Sequence, residues 1–188
     1  MNRQELIEQI SPQDLKKSVY ITQAILLILS GLLGFFFFDT IERFFRLFVL
    51  DYKEIFYYGA VPAVILIVLE LILYRSLDKK HFDDGGINEK LFRHQSVASI
   101  FVIAFVVAFS EEVLFRGVLQ TTFGYIIAST IFVLLHTRYL KKPVLLILLI
   151  FTSFFIGFLF EVTNNLMVTI VFHFLVDFVL GLYIKFQK

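Results

Sequence analysis

The sequence predicts an all-α polytopic integral membrane protein, and three observations carry that prediction. The 188 residues are 59% hydrophobic and only 18% charged, with a mean hydropathy of +0.83. An ordinary soluble domain runs nearer 45–50% apolar with about a quarter charged, so too little polar sequence remains to coat a soluble globule. The apolar residues also fall into charge-free blocks about as long as a bilayer core of roughly 30 Å requires. Lysine and arginine, finally, collect in alternate connections between those blocks.

Val19–Phe38 is free of charge over twenty residues and forms the first span, at 19–38. Ile55–Tyr74 carries only Glu70 and forms the second, at 55–74. Ser96–Ser110 is uncharged, and the helix is expected to run on through Glu111, Glu112 and Arg116, giving 96–122. Gly124 is the expected turn into a fourth helix at 125–140, and Pro143–Phe160 forms the fifth. The sixth, at 164–185, contains His173 and Asp177. Asp39–Glu54 mixes Phe44, Phe45, Leu47, Phe48 and Leu50 with charges and reads as a short interfacial helix. His81–Lys90, with Asp83-Asp84-Gly85-Gly86, reads as a loop.

The whole of 1–188 reads as one membrane domain, with residues 1–18 a cytoplasmic N-terminal segment. Setting both ends in the cytoplasm puts 13 of the 17 basic residues inside and leaves Arg43, Arg46 and Lys53 outside, Arg116 lying within a helix. That is the bias of an inner-facing surface. The expected location is the bacterial cytoplasmic membrane. Without cysteine, disulfides and thiolate chemistry are excluded. A net charge of +1 offers nucleic acid no footing. The expected partners are membrane lipid and a peptide or protein substrate, lipidated or not.

Ionisable side chains at membrane depth are costly and mark paired or working groups. Glu112 and Arg116 stand four apart on one helical face and suit a structural ion pair. Glu111 lies about 100° round the helix from Glu112, so it is free for other use. His173 and Asp177 repeat the four-residue spacing, as do Phe132 and His136. Counting about 1.5 Å per residue from the helix centres places Glu111, His136 and His173 within roughly 5 Å of the midplane. Glu70 sits one turn from a helix end, where snorkelling is expected. Asn164 and Asn165 suit the cap of the last helix.

A carboxylate beside two imidazoles suits hydrolysis, with glutamate taking a proton from water and a histidine with a polar neighbour holding the oxyanion. The sequence has neither G-x-S-x-G nor H-E-x-x-H. Two histidines and a glutamate are also a set that zinc takes, but the reading adopted needs no metal and no cofactor. Two other classes compete. A proton-coupled transporter would use the same groups as a relay, although no repeat is seen. A non-catalytic scaffold or immunity partner would use them for packing. Replacing Glu111 by glutamine discriminates among the three, since only the scaffold keeps working.

Three motifs, Glu111-Glu112-x-x-x-Arg116, Phe132-x-x-x-His136 and His173-x-x-x-Asp177, occur in that order. Together with Phe115–Gln120, Ser129, Gly157 and Glu161-x-Thr163, they resemble the CAAX prenyl protease and bacteriocin-processing family, also called the Abi family, over residues 97–185. The resemblance implies a metal-independent, glutamate-dependent intramembrane endopeptidase. Glu111 and His136 would activate water, His173 and Asp177 would form the oxyanion site, and Glu112 and Arg116 would support them. The eukaryotic members carry asparagine at the position of Asp177. An ionised carboxylate cannot donate as an amide does, so Asp177 either orients His173 or carries a proton.

Overall fold

The computed structural model describes residues 9–187. Arg3 and Lys188, both counted in the charge bias, lie outside the described residues, as does most of the segment ahead of the first helix. The described chain is helical without strands. Its principal helices are α1 (Pro12–Phe37), α2 (Ile41–Phe45), α3 (Tyr52–Ser76), α4 (Ile87–Phe92), α5 (Val97–Phe123), α6 (Tyr125–Leu135), α7 (Pro143–Thr163) and α8 (Leu166–Phe186). Five of these, α1, α3, α5, α7 and α8, are long and apolar enough to cross a membrane. The protein is an integral membrane protein.

α1 begins at Pro12, seven residues ahead of the expected start, because Ser11 caps it by accepting from the Asp14 N–H and proline suits a first helical turn. Its packing reverses the soluble rule. The side chains that α1 buries are Gln23 and Ser30, while Phe35 and Phe36 are 82% and 76% exposed. In lipid, apolar surface gains nothing by turning inward, and helices associate through packing and polar contacts.

α8 is the central element, packed on α5, α3 and α7, while α1 lies against α5 and α6 against α7. One core joins Ala63 and Leu66 of α3, Ile156 and Leu159 of α7, and Val168 and Phe172 of α8. A second joins Leu114 and Phe115 of α5 to Phe132 of α6.

Four expectations need correction. The fourth helix is not a full span to residue 140; it stops at Leu135 after 11 residues. The cause is His136, whose Nδ1–H donates to the Phe132 carbonyl at 2.8 Å. That carbonyl is the acceptor the next helical turn would use, and a side chain that takes it competes with the helix. The interfacial segment is a five-residue helix, α2, followed by an irregular stretch, since Tyr52–Glu54 already opens α3. His81–Lys90 is not all loop: Gly86 turns with φ 79° and α4 follows from Ile87. Glu70, finally, does not snorkel but is 7% exposed.

Contacts between remote segments define the two ends of the bundle. At one end the Lys16 ammonium donates to the Ser99 hydroxyl, Lys185 to the Gln95 carbonyl, Arg138 pairs with Asp84, and Lys142 pairs with Asp83. There the Asp83 carboxyl is held below its ordinary range, chiefly by the Gly85 N–H. At the other end Asn165 caps α8, donates to the Val49 carbonyl and to Glu54, and accepts from the Val49 N–H. Asn164 instead closes α7 in a left-handed conformation, φ 49°.

Candidate active site

Within α5 the backbone widens into π-helical turns from Val113 to Gln120. Such insertions are rare and concentrate at functional sites. They begin immediately after the two glutamates, which still lie on regular helix. Glu112 and Arg116 are both fully buried and pair at 3.5 Å. The Arg116 guanidinium also donates through Nη2 to the Ser153 carbonyl at 2.8 Å and lies 5.0 Å from the centre of the Phe132 ring.

His173 is the hub. Its Nδ1 lies 2.9 Å from Glu112 Oε1, while Nε2 lies 4.0 Å from Glu111 Oε2 and 3.5 Å from Asp177 Oδ2. A carboxylate accepts only, so the Nδ1–H donates to Glu112. The Arg116–Glu112–His173 chain therefore fixes the imidazole plane and aims Nε2 at Glu111 and Asp177. Spacing on the helices brings this about: His173 and Asp177 stand one turn apart on α8, and α8 runs along α5 at the level of the glutamates.

Glu111 is held from α1. Gln23 donates through Nε2 to Glu111 Oε1 at 3.4 Å, and the Ser110 hydroxyl donates to Gln23 Oε1 at 2.7 Å, which sets the amide's orientation. Sequence reasoning passed over Gln23. The signal was present, since it is the one amide in the charge-free Val19–Phe38 block.

His136 arrives by another route than expected. An 11-residue helix rises about 16 Å, roughly half a bilayer core, so the imidazole stands at the tip of a half-span. Its Nδ1–H is taken by Phe132, which leaves Nε2 as an acceptor. The Phe132 ring stacks on His136 at 4.4 Å and meets His173 edge-on at 6.4 Å, separating the two imidazoles.

Glu111, His136, His173 and Asp177 line one cavity of about 540 Å³, with Gln23 from α1, Glu70 and Tyr74 from α3, and Asn88 from α4. Arg138 and Tyr139, in the irregular segment after α6, also border it. Non-helical backbone at membrane depth is tolerated where it lines a cavity. The structure thus gathers Glu111, Glu112, Arg116, His136, His173 and Asp177 into one site, and adds Gln23 and Glu70. His81 and His94 take no part in it.

A polytopic helical bundle whose carboxylates and imidazoles line an internal cavity suits a membrane-embedded enzyme. The chain belongs to the type II CAAX prenyl endopeptidase Rce1-like family, whose sequence pattern it matches over residues 93–179, a stretch that contains all three motifs. It is also 38% identical over 166 residues to YpbD of Bacillus subtilis (strain 168), an uncharacterised protein, with 88% of each chain covered. No solved structure matches the chain significantly. At the family level the protein is a CAAX-protease-like intramembrane peptidase.

Proposed function

We propose that the protein hydrolyses a peptide bond with water activated by Glu111, using no metal. The observation that carries this reading is the convergence of Glu111, His136 and His173 on one cavity inside the bundle. A water held between the Glu111 carboxylate and His136 Nε2 gives up a proton to Glu111. The hydroxide adds to the peptide carbonyl carbon, and the carbonyl oxygen becomes an oxyanion. A doubly protonated His173 donates Nδ1–H to Glu112 and presents Nε2–H to that oxyanion. When the C–N bond breaks, Glu111 returns its proton to the leaving nitrogen, and the products are an acid and an amine. Asp177, 3.5 Å from His173 Nε2, orients the imidazole and supports its charge.

The substrate is a peptide segment that reaches the cavity through the end of the bundle where Ser18, Asn88 and Arg138 lie. The bias of its basic residues supports setting that end in the cytoplasm of a bacterial cell. The test is cleavage of a peptide library by detergent-purified protein, wild type against Glu111→Gln, with and without chelator. Loss of at least about a hundredfold in the variant is expected, together with indifference to chelator. Chelator-sensitive cleavage, or cleavage that survives Glu111→Gln, overturns the mechanism.

A further inference from the structure

Resting on the peptidase reading, we propose that Glu70, with Tyr74 and Asp177, forms a subsite that takes a basic side chain of the substrate beside the scissile bond. Glu70 and Tyr74 stand four apart on α3, so they share the face turned to the cavity, and both line it. Glu70 is 93% buried by its 7% exposure, yet among the described residues it has neither a hydrogen bond nor an ion pair. The other carboxylates on the same cavity, Glu111 and Asp177, are of like sign. Asp177 is already turned to His173. Arg138, the arginine bordering the cavity, is engaged by Asp84 at 3.6 Å and lies 4.5 Å over the Tyr139 ring. Lys16 is committed to Ser99 at 2.7 Å.

A membrane-buried carboxylate with no ion-pair partner lacks its counter-charge. The cavity supplies room for one, and Tyr74 supplies an aromatic face that attracts cations. The Tyr74 ring is itself held in place, stacked on Phe82 at 4.0 Å. Asp177 joins this subsite to His173 within one side-chain contact. An extended peptide advances about 3.3 Å per residue, so the residue recognised stands close to the bond cleaved.

The experiment uses twelve-residue alanine–leucine peptides carrying one lysine moved through each position, beside norleucine and Nε-acetyllysine counterparts. Wild type is expected to favour lysine over both counterparts about tenfold or more at one position near the cleaved bond. The ratio should fall to about one in Glu70→Gln, and Glu70→Lys should shift preference to glutamate at that position. Equal cleavage of the three wild-type series overturns the subsite without recourse to any variant, as does a lysine preference that persists in Glu70→Gln. If wild type cleaves none of the peptides, the peptidase reading falls separately. Binding of the same peptides, fluorescently labelled, to Glu111→Gln and to Glu111→Gln/Glu70→Gln then decides the subsite. A lysine preference lost only in the double variant upholds it, and no preference in the single variant sinks it.

Discussion

Arg116 is the largest fully buried side chain among the described residues, and its surroundings explain why it is kept. It faces Glu112 at 3.5 Å, donates to the Ser153 carbonyl, and covers the Phe132 ring. It thereby ties α5 to α6 and α7 behind the site. Glu112 in turn holds His173, so loss of Arg116 would leave a fully buried carboxylate without its arginine counter-ion. Breaking a buried pair on one side costs about 3–5 kcal/mol. Arg116→Met is therefore expected to lower the thermal midpoint in detergent sharply, whereas Arg116→Met with Glu112→Gln, which removes both charges, should recover most of that loss. Equal destabilisation in the single and double variants would mean that Arg116 acts through packing alone. Activity separates the roles further. The double variant should fold and still cleave poorly, because a glutamine amide cannot support the His173 imidazolium as a carboxylate does.

At the scale of elements, α6 sets the position of His136, and its seating on α7 depends on Gly157. A Cβ there would come 2.7 Å from the Ser129 hydroxyl and 2.8 Å from two ring carbons of Tyr125. Neither group yields freely. The Tyr125 hydroxyl donates to the Phe154 carbonyl, and Ser153 and Ser129 bond across the same interface. Small residues at such crossings let membrane helices approach closely. Gly157→Ala is expected to cost about 1–3 kcal/mol, seen as a lower unfolding midpoint, and to depress cleavage by displacing α6 and His136 with it. An unchanged midpoint would show that α6 can shift without loss. The spans themselves were legible in the sequence because lipid forbids unpaired charge, so blocks from Val19 to Phe38 or Pro143 to Phe160 announce their role. The residues of the candidate site stood out for the same reason, as ionisable groups where few are tolerated. What stayed hidden depends on choices made by the backbone. Nothing in Val113–Gln120 marks a π-helical widening, and the end of α6 turns on one hydrogen bond from His136 to Phe132. Glu70 was misjudged because depth along a helix can be counted from sequence, whereas the neighbour a face meets cannot.

For the whole molecule, the orientation of the bundle decides which compartment the cavity serves. The contacts Lys16–Ser99, Lys185–Gln95, Arg138–Asp84 and Lys142–Asp83 gather the start of α1, the end of α8, the start of α5 and the α6–α7 turn at one end. Arg75, Lys90, Arg93 and Lys141 adjoin these same segments, whereas Arg43, Arg46 and Lys53 belong to the other end. Basic residues near span ends stay in the cytoplasm, so the end bearing Arg138, Asn88 and Ser18, all lining the cavity, is expected to face inward. The chain has no cysteine, which makes single-cysteine labelling free of background. Cysteines replacing Asp39 or Tyr52 should react with a membrane-impermeant maleimide in intact bacterial cells. Cysteines replacing Lys80 or Lys141 should react only after the membrane is opened. The reverse pattern would turn the cavity to the outside, and the peptides able to reach Glu111 would then be exported ones.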